Sequence, residues 1–154
     1  MAKTTTMTRG EVCSALKEFF AEELHALSVR TSTSPGDESE EVFVSGICKV
    51  EQGSEPVGRV ELRHTSEDVD PTEGVPGFEP STVDGVPVWI RDRTAHPDNP
   101  STQVRFATRV DRWNVRLFIE NETTNTATGP LRLTDENKRE AARFLVDLGR
   151  RLSG

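Results

Sequence analysis

Two alternating segments, separated by two residues, constrain this chain more than anything else in it. Val104, Phe106, Thr108 and Val110 recur at every second position, and so do Trp113, Val115, Leu117 and Ile119. That period belongs to strands with one apolar face. A two-residue turn at Asp111-Arg112 sets Val110 opposite Trp113, Thr108 opposite Val115 and Phe106 opposite Leu117. A slip of one residue would send one apolar face to the wrong side, so the register is fixed. Asp-Arg is not the favoured Asn-Gly or Asp-Gly pair; the pairing rests on the faces rather than on the turn.

The rest of the chain is read outward from this hairpin. Val86–Arg91 reads as a short strand, with Pro87 suiting a strand start or an edge. Val42, Val44, Gly46, Cys48 and Val50 share one face of another strand. Gly58, Val60 and Leu62 continue as its partner beyond a turn over residues 52–56, with Arg59, Glu61 and Arg63 on the opposite side. Thr8 and Glu11 form a capping box for a helix over residues 8–28, with Val12, Leu16, Phe19, Phe20, Leu24 and Leu27 at helical spacing. Thr134 caps a second helix over residues 134–152, with Asp135 and Glu136 in its first turn and Ala141, Phe144, Leu145, Leu148 and Leu152 as its stripe. Residues 31–41, 66–85 and 92–102 read as loops. The second is long for so small a chain, and acidic.

These elements predict one α+β domain over residues 1–154. An antiparallel sheet of about five strands, over residues 42–119, carries the N- and C-terminal helices on one face. Only 33% of residues are hydrophobic, but they are gathered into these periodic segments, which excludes a wholly disordered chain. No apolar run approaches the roughly 18 residues of a membrane span, which predicts no membrane partner.

The charge is uneven. The net of −7 argues against nucleic acid as a partner. Residues 1–80 hold 7 positive and 16 negative side chains, a net of −9; residues 81–154 hold 12 and 10, a net of +2. Of those 12 cations, 11 are arginine. Arginine's planar fork suits contacts, although codon preference gives the same bias.

The alternation that buries one sheet face also names the other. Trp89, Arg91, Arg105, Arg109, Arg116 and Phe118 share the outward side, with Arg105 opposite Phe118 and Ala107 opposite Arg116. Trp, Phe and Arg on a solvent-facing sheet have the composition of interface hot spots. They equally stabilise a wet sheet by pairing with one another, or stack single-stranded nucleic acid.

Candidate chemistry is sparse. His96 lies between Asp92 and Asp98, and His64 ends a strand; a site for a small enzyme or ligand-binding domain would lie between loops 66–85 and 92–102. Asp68, Asp70 and Glu73 alternate as oxygen ligands do, but lack the spacing of a calcium loop, so no metal or other cofactor is expected. Asn121-Glu122-Thr123 matches a glycosylation sequon by chance. The first ten residues lack a secretory profile, which places the chain in the cytoplasm, or in a particle made there. Cys13, near a helix start, and Cys48, on an apolar strand face, are then reduced thiols. The leading expectation is a non-enzymatic protein-interaction or assembly subunit, pairing with a protein partner or with itself. Small α+β subunits of viral tails and necks form rings in this general way, an analogy of fold alone.

Overall fold

A computed structural model describes residues 7–34, 36–42, 44–97 and 100–154. At its centre is the hairpin of β6 (Gln103–Val110) and β7 (Trp113–Glu120). Val110 faces Trp113, Thr108 faces Val115 and Phe106 faces Leu117, the register that the alternation dictates. Asp111 takes a left-handed φ of 53°, which Asp tolerates better than most residues.

The sheet is antiparallel and has seven strands, not five. Besides β6 and β7 it contains β1 (Val29–Ser34), β2 (Ser45–Gln52), β3 (Glu55–His64), β4 (Glu79–Val83) and β5 (Val86–Arg91), in the order β1-β2-β3-β7-β6-β5-β4. The two additional strands are the two edges. Each packs on one neighbour only, so neither needs the apolar alternation that marks β6 and β7. β1 is Val-Arg-Thr-Ser-Thr-Ser, and β4 carries Pro80. A two-stranded ribbon, β8 (Asn125–Thr126) with β9 (Gly129–Pro130), folds the connection after β7. The β2–β3 turn is Gly53-Ser54 alone, because Gln52 already pairs with Glu55. Val44 lies outside β2 and is exposed.

One row of the sheet's inner face runs Cys48, Val60, Leu117, Phe106 and Ile90 across five strands. The helices meet this face. α1 (Arg9–Glu18) begins at the Thr8–Glu11 capping box and is bonded by Cys13 to Cys48 of β2. The reduced-thiol expectation is therefore corrected: opposing helix and strand positions bring the two Cα atoms to 5.6 Å, and the sulfurs are joined. α2 (Asp135–Ser153) begins at Thr134 and lays Gly149 against Val110 and Val115, leaving no room for a larger side chain.

α1 does not run as one regular helix to residue 28. At Phe19 it widens into a π-helical turn, Phe19–Glu23, and stops. Both phenylalanines at the start of this turn face inward. Phe20 is fully buried against Gly58, and Phe19 stacks on Phe144 of α2 with ring centroids 4.8 Å apart. The chain then reverses into β1, leaving Leu27 half exposed rather than on the apolar stripe.

The disulfide closes a sequence separation of 35 residues, for which the chain-entropy account gives roughly 4 kcal/mol of stabilisation. We expect Cys13→Ser/Cys48→Ser to lower Tm by about 10 °C. Denatured wild type should show no free thiol before reduction and two after it. Two free thiols in the unreduced protein would contradict the bond.

Candidate interaction surface

The outer face of the sheet is built from three cross-strand rows. The first is Lys49, Arg59, Phe118, Arg105 and Arg91. The second is Ile47, Glu61, Arg116, Ala107 and Trp89, and the third Ser45, Arg63, Asn114 and Arg109. All six predicted interface residues lie on this face.

The face is not bare, which corrects the solvent-facing expectation. β3 lies mid-sheet and β4 at an edge, so the chain must cross β7, β6 and β5 between them. Residues 65–78 make that crossing over the outer face. A strap without regular pairing carries carbonyls that need donors. Arg109 supplies two of them. It donates to the Thr65 hydroxyl (2.6 Å), the Thr65 carbonyl (3.2 Å) and the Glu67 carbonyl (2.8 Å), and its Nε lies 3.4 Å from Asp68. Its remaining bond goes to the Asn114 side-chain oxygen, while Asn114 Nδ2 donates to the Val69 carbonyl at 3.2 Å. Arg116 pairs with Glu73 of the strap at 3.2 Å and with Glu61 at 2.7 Å. Arg91 Nε donates to the Pro76 carbonyl at 2.9 Å. The acidic residues Asp68 and Glu73 are thus strap anchors, and Asp70 accepts the backbone N–H and hydroxyl of Thr72 in a local turn.

The first row is arranged differently. Phe118 is 5% exposed beneath two guanidinium groups, Arg59 at 4.2 Å and Arg105 at 5.5 Å from its ring centroid. Such stacking is worth about 0.5–1 kcal/mol per cation at an exposed site. Arg59 has a carboxylate, Glu61 at 2.8 Å. Among the described residues no carboxylate pairs with Lys49, Arg91 or Arg105. Arg91 and Arg105 sit directly opposite each other. Burial lowers the Arg91 pKa, and the charges of Arg105 and Arg93 lower it further. Trp89 is partly buried, opposite Ala107 and Pro80.

The candidate catalytic residues are divided between the two ends of the sheet. His64 stands at the β6–β7 turn end, edge-on to Trp113 with ring centroids 5.2 Å apart. His96 follows β5 at the other end, its Nδ1 3.1 Å from Arg93. Five residues of β3 separate the His64 row from the Arg59–Arg91 row, about 17 Å at strand rise. A polar cleft of about 580 Å³ joins parts of the two loops, lined by Glu79, Asp92, His96 and Lys138 but not by His64. Asp98 lies outside the described residues. Asp92 Oδ1 accepts the Thr94 N–H (3.0 Å) and hydroxyl (2.7 Å), and Lys138 sits 2.5 Å from Oδ2. Burial pushes the Asp92 carboxyl up, but Lys138 and Thr94 together outweigh it and hold the group below its ordinary value.

Sequence reasoning missed Lys49 and Arg59 as members of the surface, although alternation along β2 and β3 turns both outward. It also missed the strap, whose signal was an acidic loop in a chain whose sheet arginines had no stated partners. No family model, curated protein or solved structure matches the chain.

Removing Arg109 takes a donor from the Thr65 hydroxyl, the Thr65 carbonyl and the Glu67 carbonyl, the last of which still accepts from the Thr65 hydroxyl. Arg109→Ala should cost about 2–3 kcal/mol and speed hydrogen exchange across residues 65–76 more than in the β6–β7 hairpin. Uniform exchange would show that Arg109 does not hold the strap. A depressed folded-state pKa stabilises above the unfolded value and ceases to do so as pH falls through the folded one. The stability gap between wild type and Asp92→Asn should therefore be full near neutrality and shrink in acid, as read from denaturant midpoints across pH. A gap that does not change with pH would show that the Asp92 charge is not what stabilises.

Proposed function

We propose that the protein is a non-enzymatic interaction and assembly subunit that pairs with a second copy along the open edge at β1. The observation that carries this reading is the contrast between the two sheet edges. β1 has a ladder to β2 and, among the described residues, none on its other side. It is six residues long, without Pro or Gly, and Arg30 is its only charge. Such an edge offers unpaired N–H and C=O groups to another strand. β4 is protected. Pro80 lacks an N–H, Glu79 begins the strand, and Asp84 beyond it meets Arg150 of α2 at 3.5 Å. An edge-to-edge ring of β1 onto β4 would meet that proline, so the two-fold β1–β1 pairing is favoured, which closes on itself.

The disulfide supports an oxidising compartment rather than the cytoplasm as the place of this assembly. Among the described residues no helix is long and apolar enough to cross a membrane.

Absolute mass in solution, over a concentration series, tests the reading. A species of twice 17.1 kDa is expected. Ser32→Glu/Ser34→Glu should return it to a monomer. Ser32 is exposed and opposite Lys49, so the new carboxylate suits the folded subunit while opposing its counterpart in a dimer. A monomeric wild type at every concentration, or a dimer indifferent to the double substitution, would sink the β1 reading.

A further inference from the structure

Four cations and one aromatic ring occupy a single cross-strand row of an acidic protein. Lys49, Arg59, Arg105 and Arg91 lie on β2, β3, β6 and β5, with Phe118 of β7 between Arg59 and Arg105. At about 4.8 Å between strands the row is roughly 19 Å long. Like charges directly opposite destabilise a sheet, yet Arg91 and Arg105 are so placed. Arg105 donates from Nε to Gln103 Oε1 at 2.8 Å and Arg91 donates from Nε to the strap, which leaves the outer nitrogens of both forks without a carboxylate among the described residues. Lys49 is exposed.

The molecule shows what such a face accepts. The strap is itself an acidic segment lying across the strands, with turns within residues 70–77; Arg109 holds its Thr65 and Glu67 carbonyls and meets Asp68, and Arg116 meets Glu73. The first row has the same side-chain chemistry one row further along the sheet, and of its cations only Arg59 has a carboxylate among the described residues. We infer that the row Lys49–Arg59–Arg105–Arg91 is a docking surface for an extended acidic segment of a partner protein. The dimensions agree. Six extended residues span about 20 Å, and carboxylates at alternate positions recur about every 6.6 Å, between the short and long spacings of the cations. Arginine forks take carboxylates bidentately, which gives geometric preference beyond bulk charge. Nucleic acid fits less well, because a long phosphate backbone would also meet the remaining surface of a protein with net charge −7.

The surface lies on the sheet face and not on the β1 edge, so its test is separable from that of self-association. The probe is a fluorescein-labelled dodecapeptide of alternating Glu and Ser, with a Gln/Ser peptide and a 12-nucleotide single-stranded dT as comparisons, read by fluorescence anisotropy. The expected result is binding of the Glu peptide alone, weakened by salt. Lys49→Gln/Arg105→Gln should weaken it about tenfold. Arg132→Gln/Arg139→Gln removes the same charge from exposed positions elsewhere and should leave affinity unchanged. Thermal melts check that both variants remain folded; should the row variant fail to fold, Lys49→Gln alone replaces it, with an affinity loss still required. Absence of Glu-peptide binding, equal loss in the two double variants, or preference for dT would each overturn the inference, the last in favour of nucleic acid.

Discussion

The pairing of β3 with β7 is the constraint on which the rest of this structure depends. Strands adjacent in sequence pair simply: β1 to β2 to β3, then β4 to β5 to β6 to β7. Only the β3–β7 ladder joins the two meanders, and it sends the chain from the middle of the sheet to its far edge. Four inter-strand steps, about 19 Å, must be covered by residues 65–78. The inner face is occupied by the helices, so the crossing takes the outer one. There its backbone meets side chains rather than another strand. The carbonyls of Thr65, Glu67, Val69 and Pro76 need donors, and Arg109, Asn114 and Arg91 stand where they can give them. Arg91, Arg109 and Arg116 on the outward strand positions meet the demand that this topology makes.

The inner face meets a related demand by other means. α1 packs on the β1–β2 side and α2 on the β6–β7 side, so the helix layer must be fastened to both halves of the sheet. Cys13–Cys48 fastens the first half covalently. The Phe19–Glu23 turn fastens the two helices to each other and to the sheet, Phe20 filling the space over Gly58 while Phe19 stacks on Phe144. Gly149 lets α2 approach Val110 and Val115 closely enough to complete the layer.

What could be read from the sequence follows from which elements are buried on a full face. The β6–β7 register, β5 and the stripe of α2 were legible because apolar periodicity is a record of burial, and the caps at Thr8 and Thr134 because their side chains suit a helix start. β1 and β4 were not, since an edge strand packs little; β4 still carried a signal in Asp84-Gly85, a strong hairpin pair whose residues both take positive φ. The outward positions of Trp89, Arg91, Arg105, Arg109, Arg116 and Phe118 were legible by the same alternation. Their partners were not, because the contact of Arg109 with Thr65 spans 44 residues and no local pattern encodes it. The disulfide was hidden for the same reason: two cysteines 35 residues apart look like two thiols until a helix and a strand bring them together.

The charge asymmetry of the chain acquires a structural meaning from the strap. The acidic first half contributes Glu61, Asp68 and Glu73, and the arginine-rich second half contributes Arg109 and Arg116; the two meet on the outer face. Glu61 stands at the border. It serves Arg116 on the strap side and Arg59 on the other, 2.7 and 2.8 Å away. Along the first row the cations continue through Arg105 to Arg91, while Glu120 in the next row takes Gln103 and Thr102 as partners. A sheet selected only for stability would place an acid, or nothing charged, opposite Arg91. Arg105, which stands over the buried Phe118, faces Arg91 across the ladder, a local conflict with sheet stability.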